Sequence, residues 1–211
     1  MEARRAALDA LRRLEEGNRR FAAGSRSASG PSDHARRAEL VSGQEPLAIV
    51  LGCSDSRVPA ELVFDQGLGD LFVIRVAGHV VAPSQIGSVE FAAERFGTRL
   101  VVVLGHSLCG AVSATLDELR RSEGTQSRNL RSIVDRIRPS VEGLLHTDLA
   151  GNPDALVRAA VRAHVRVAAG QLRHGSEILE RLIDEQGLLV VGAEYSLESG
   201  VVEFFDGVPA G

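Results

Sequence analysis

Two cysteines, one histidine and an aspartate–arginine pair are the residues of this chain best suited to chemistry. Cys53-Ser54-Asp55-Ser56-Arg57 follows the apolar run Leu47-Ala48-Ile49-Val50-Leu51-Gly52, and His106-Ser107-Leu108-Cys109-Gly110 follows Leu100-Val101-Val102-Val103-Leu104-Gly105. The chain has no other cysteine. Two thiolates and an imidazole make a three-ligand zinc set with one tetrahedral position left open, the pattern of a catalytic rather than a structural site. The two sulfur charges would cancel that of the ion and leave its bound water less acidic than in an all-histidine site. Asp55, two residues past a ligand, is placed to accept a hydrogen bond from that water, and Arg57 to clamp the carboxylate in a two-pronged pair. The same proximity would let Asp55 bind the metal itself and close the site. A thiol phosphatase fits poorly, because only three residues separate Cys53 from Arg57 and the second cysteine would go unused.

These residues lie 53 positions apart, so the fold must bring them together. Each group begins where a β-branched run meets glycine, which predicts the end of a buried strand. Strands are expected at residues 47–51, 71–76, 100–104 and 188–191, alternating with helices, and a last strand at about 201–205 after the turn signal Glu198-Ser199-Gly200. Continuous apolar runs separated by helices imply an α/β fold: a central, mostly parallel sheet covered on both faces, with an antiparallel edge strand. If the first strand is central, the second lies on one side of it and the third on the other, giving the order 2-1-3-4. In that order the first and third strands are neighbours, and the crevice beyond their C-terminal ends is where open α/β sheets bind ligands.

The remaining elements are expected as follows. Residues 3–23 form an amphipathic helix, with Leu8, Leu11, Leu14 and Phe21 on one face. That helix opens an N-terminal helical arm over residues 1–42, which packs across the domain or onto a partner subunit. Residues 24–33 read as a loop, 34–42 as a short helix, 84–96 and 110–121 as helices, and 122–152 as short surface helices broken by glycine and proline. Asn152 and Pro153 cap and open a long helix, and a shorter one covers about 176–186. His34, His146 and His174 read as surface residues and His164 as a packing residue; His79 is open as a proton carrier.

At 211 residues and 44% hydrophobic content, one domain spanning 1–211 is expected. A net charge of −4 offers nothing to nucleic acid or to an anionic membrane. No apolar run approaches transmembrane length. The arginine-rich start lacks the apolar core of a secretory signal, so a reducing, cytoplasmic setting is expected.

Cys-Ser-Asp-Ser-Arg followed by Gly-His-Ser-x-Cys-Gly resembles the paired signature of the β-class carbonic anhydrases. The resemblance extends to Gly17-Asn18-Arg19-Arg20-Phe21, the run Phe64 to Phe72, Arg75-Val76-Ala77-Gly78 and Gly87-Ser88-Val89-Glu90. It implies reversible hydration of carbon dioxide to bicarbonate and a proton by attack of zinc-bound hydroxide, with one Zn²⁺ per subunit. It implies Cys53, His106 and Cys109 as metal ligands, Asp55 joining them only in a closed state, and Asp55 with Arg57 as the catalytic dyad. Gln44, Phe72, Phe91 and Gly110 match substrate-binding positions. It further implies a homodimer or homotetramer with the pocket at a subunit interface. Two other functions stay open at this point: a zinc hydrolase acting on a sulfur analogue of carbon dioxide, and a non-catalytic zinc-stabilised binding module.

Overall fold

The computed structural model describes residues 2–26, 33–120 and 127–209. Its five strands are β1 (Ala48–Gly52), β2 (Leu71–Arg75), β3 (Leu100–His106), β4 (Leu189–Tyr195) and β5 (Val202–Asp206). They form one sheet in the order β2-β1-β3-β4-β5. The first four are parallel, and β5 pairs antiparallel with β4 at the edge. All residues of β1 and β3 are buried, as continuous apolar runs in the middle of a doubly covered sheet require. Gly52 pairs with Arg75 on one side and Leu104 on the other, so the chain leaves β1 and β3 at the same end of the sheet.

The side chains of β1 and β3 alternate between two cores. Ala48, Val50, Leu100, Val102 and Leu104 face α1 (Glu2–Ala22) and α3 (Ala60–Val63), among Leu11, Leu14, Val63 and Phe64. Ile49, Leu51, Val101 and Val103 face α4 (Pro83–Arg95), α7 (Pro153–His174) and α8 (Glu177–Gln186), among Val89, Val165, Ala168, Leu172 and Leu179. Of the two destinations open to the first helix, its apolar face takes its own sheet. Helix α2 (Asp33–Glu39) and a 3-10 turn at Leu40–Ser42 complete the arm. Helix α7 approaches β3 so closely that a Cβ on Gly105 would stand 2.5 Å from Val165 Cγ2. Asn152 Oδ1 accepts the Ala155 N–H at the start of α7, with Pro153 in the first turn.

A third cluster closes the C-terminal end of the sheet. Cys53 and Cys109 lie in it with Val112 and Leu116 of α5 (Gly110–Arg120), Ile137 and Val141 of α6 (Arg128–Val141), and Val161 of α7. This corrects the expectation of short surface helices over 122–152. Helix α6 has 14 residues, with Val134, Ile137 and Val141 buried at helical spacing. Its four arginines and Pro139 mask that stripe in the sequence. Pro139 falls in the last turn, where few helical bonds remain to be lost. Residues 121–126, including Gly124, and residues 27–32 of the expected loop lie outside the described residues.

Asn18 ties α1 to the far edge of the sheet. Its Nδ2 donates to the Val63 and Gly200 carbonyls, and its Oδ1 accepts the Val202 N–H at 2.8 Å. Asn18→Ala would leave those three buried backbone groups without this partner, at a cost of about 2–4 kcal/mol. A urea titration should show the midpoint fall with the slope unchanged.

Candidate metal centre

Cys53 follows β1 directly, and His106 closes β3 three residues before Cys109. One ligand atom from each lies within 4.8 Å of the others, and all three residues are buried. Leu108, between His106 and Cys109, adopts φ 56° and stands exposed while its two neighbours in the group turn inward. A non-glycine residue in that conformation is strained, and such strain clusters at functional sites.

The donor set fits a zinc ion. His106 Nδ1 is 2.9 Å from the Ser107 carbonyl, which can only accept, so Nδ1 carries the proton and Nε2 presents its lone pair. Nε2 is buried without a hydrogen-bond partner, an expensive arrangement unless a cation takes it. The two thiols are coupled. The hydrogen bond from Cys109 lowers the Cys53 pKa, helped by His106 and by backbone groups of Asp55 and Gly78, while the same bond and burial raise that of Cys109. One thiolate forms readily and the second is opposed, which is the electrostatic need a divalent cation meets.

Asp55 stands beside this group rather than in it. Arg57 Nε and Nη2 donate to its two carboxylate oxygens at 2.9 and 2.7 Å, and the Arg57 backbone N–H adds a third bond. The side-chain bonds from Arg57 hold the carboxyl well below the usual carboxylate range. Its Oδ2 is 3.8 Å from His106 Nε2, so the fixed carboxylate borders the metal position.

Three contributors to the centre were not singled out as functional from sequence. Arg75, at the end of β2, donates from Nε to the Cys53 carbonyl at 3.0 Å and from Nη2 to that of Asp55 at 2.6 Å, fixing the loop that carries both. The pairing of β2 beside β1 could have pointed to it, since Arg75 lies opposite Gly52. The Gly78 N–H donates to Cys53 Sγ at 3.3 Å. His164 bonds to the Gly78 carbonyl. Gly78 falls in a segment that carries the family resemblance, but no sequence signal marks the His164 contact.

Gln44, Phe72 and Phe91 lie elsewhere. Gln44 precedes β1 whereas Cys53 follows it, so the five-residue strand, roughly 16 Å long, separates them. Phe72 pairs with Ile49, three residues before the strand end. Phe72, Phe91 and Phe96 form an aromatic trio with centroids 5.6–6.3 Å apart. Phe96 and Gln44 line one groove of about 390 Å³ with Leu40 and Leu68. Gly110 is exposed at the first turn of α5, with open space where a Cβ would stand. His146 and His174 are exposed as expected, and the side chain of His34 lies outside the described residues. His164 is buried as expected of a packing residue, but both its ring nitrogens have hydrogen-bond partners. His79 is wholly buried, and burial pushes its pKa well below the ordinary value, so it is badly placed to carry a proton.

A carbonic anhydrase family model matches residues 48–202. Carbonic anhydrase 2 of Mycobacterium tuberculosis is 42% identical over 195 residues, covering 90% of this chain and 89% of its own. The crystal structure of a β-carbonic anhydrase of Aspergillus fumigatus superposes with a TM-score of 0.72 at 29% identity, covering 84% of each chain. The fold also matches a tetrameric β-carbonic anhydrase of Sordaria macrospora, with a TM-score of 0.68 at 24% identity over 80% of this chain and 85% of that one. The chain belongs to the carbonic anhydrase family, in its β class. It is a zinc lyase, and its reaction is the zinc-dependent reversible hydration of carbon dioxide to bicarbonate and a proton.

Purified protein should hold one zinc per chain by elemental analysis. Cys109→Ala, which removes one of three donors, should lower retention after dialysis against a chelator by at least tenfold.

Proposed function

We propose that this carbonic anhydrase works as a homodimer, or a pair of dimers, in which each metal centre is completed by residues of the neighbouring chain. The observation that carries this reading is the division within one chain. Cys53, His106, Cys109, Asp55 and Arg57 gather at the C-terminal end of the strands, while Phe72 of β2 and Phe91 meet Phe96, which lines a separate groove with Gln44. A neighbouring chain packed on the β2 edge would bring the second group to the first. That face is apolar: Val41 is 86%, Phe91 54% and Leu68 48% exposed, an unusual display for a surface facing only water. The tetrameric relative of the same fold supports such pairing. The chain is read as one domain over 1–211, with α2 and the turn after it meeting the partner. Two free buried thiols, both needed as ligands, suit a reducing, cytoplasmic compartment.

Cys53, His106 and Cys109 would hold the zinc. When bound, the ion supplies the Lewis acidity that makes a nucleophile of water near neutral pH. Asp55 stays ionised because Arg57 occupies both its oxygens, and it acts as a fixed acceptor that orients a hydroxyl towards substrate. The same carboxylate, swung away from Arg57, could reach the metal and close the site. Gly110 leaves room for substrate beside Cys109. Phe72 and Phe91 of a partner would wall an apolar space suited to carbon dioxide, and Gln44 would supply a polar contact to the product. Holding reactants in that alignment lowers the barrier without a covalent step on the protein.

Stopped-flow hydration of carbon dioxide by zinc-loaded protein should be rapid. Asp55→Ala should lower kcat by about 100-fold or more with zinc content unchanged. A non-catalytic module would show no turnover to lose.

Val41→Glu combined with Leu68→Glu should convert the sedimenting species to a monomer and cost most of the turnover while zinc is retained. An active monomer would defeat the shared-site reading.

A further inference from the structure

The turn after β2 is held in an unfavourable shape. Gly78 has φ 66° and His79 φ 42°, so two successive residues are left-handed and the second has a bulky side chain. A Cβ on Gly78 would stand 2.8 Å from Ile137 Cδ1 and 3.0 Å from Ala111 Cβ, which leaves glycine as the residue that fits. The Gly78 N–H points at Cys53 Sγ. From the opposite side comes a single buried side chain of α7. His164 Nε2 lies 2.9 Å from the Gly78 carbonyl. A carbonyl only accepts, so Nε2 carries the proton. His164 Nδ1 lies 3.0 Å from Ser140 Oγ of α6, and the ring packs on that of His79 with centroids 4.7 Å apart.

We propose that His164 is a positioning residue of the metal centre: its grip on the Gly78 carbonyl holds the left-handed turn that aims the Gly78 N–H at Cys53 Sγ. The inference rests on Cys53 being a zinc ligand. An N–H donated to a thiolate draws electron density from the sulfur and fixes its direction, so an ion held there would be a stronger Lewis acid, and changing such a partner of a metal ligand commonly costs about tenfold or more in metal affinity. His164 touches neither substrate nor metal. It acts through one residue of backbone, and its bonds to Gly78 and Ser140 also join the turn after β2 to α6 and α7.

The test uses the full chain with cobalt in place of zinc, which gives a thiolate-to-metal charge-transfer band. His164→Leu removes the donor while keeping an apolar filling, and His164→Gln keeps an N–H within reach of Gly78. The leucine variant should move the band to longer wavelength and bind zinc about tenfold more weakly in competition with a chelator. The glutamine variant should restore most of both. A folded leucine variant with the wild-type band and zinc affinity, losing only thermal stability, would overturn the proposal and leave His164 a packing residue. Should that variant not fold, His164→Asn, whose amide stops short of the Gly78 carbonyl, takes its place and is held to the same outcomes. Absence of any charge-transfer band in the wild-type protein would instead defeat the reading of Cys53 as a ligand.

Discussion

Two sulfurs and an imidazole nitrogen within 4.8 Å of one another, all buried, can carry two thiolate charges together only if positive charge stands among them. Much of the fold serves that requirement. The parallel pairing of β1 with β3 delivers the ligands to one end of the sheet. The third apolar cluster then keeps water from the sulfurs, and α5, α6 and α7 supply it. Without α6 that end would lose the cover of Ile137 and Val141, and the thiols would meet solvent. Burial thus opposes thiolate charge here and makes a cation the partner that would let both sulfurs give up their protons.

A second layer of contacts decides where the ligands point. Arg75 spans the carbonyls of Cys53 and Asp55, and Arg57 takes the Asp55 carboxylate. The first fixes the main chain of the loop and the second the Asp55 side chain. Both are charge-assisted bonds with little freedom of direction, so the position of Asp55 beside His106 follows from geometry rather than from chance packing. Local strain stands at two points near the centre, Leu108 with φ 56° and His79 with φ 42°, and His79 is wholly buried with its N–H bonded to the Val76 carbonyl.

The strands and the grouping of Cys53, His106 and Cys109 were legible because both rest on short-range signals. The strands showed as apolar runs alternating with helices, and the three residues as metal-binding types at strand ends; the order 2-1-3-4 needed the added premise that the first strand is central. The observed β3 extends through His106, two residues past the expected end, because β4 continues to pair with it as far as Tyr195. Contacts between distant segments were hidden. Nothing near His164 announces a bond across 86 positions to a glycine carbonyl, and a helical stripe among four arginines did not declare that α6 is half buried. Gln44, Phe72 and Phe91 came from family likeness, and no local pattern in the chain could tell which metal centre they face.

The salt link between Arg57 and Asp55 also bears on how turnover must vary with acidity. Its guanidinium keeps the Asp55 carboxyl far below the usual range, so that group remains an anion throughout mildly acidic and neutral conditions. Acidification across that interval therefore leaves the dyad's charge intact. Asp55 could take part in a loss of rate over that interval only by leaving Arg57, not by gaining a proton. Acidity would thus reach this group through where the carboxylate sits and not through its charge.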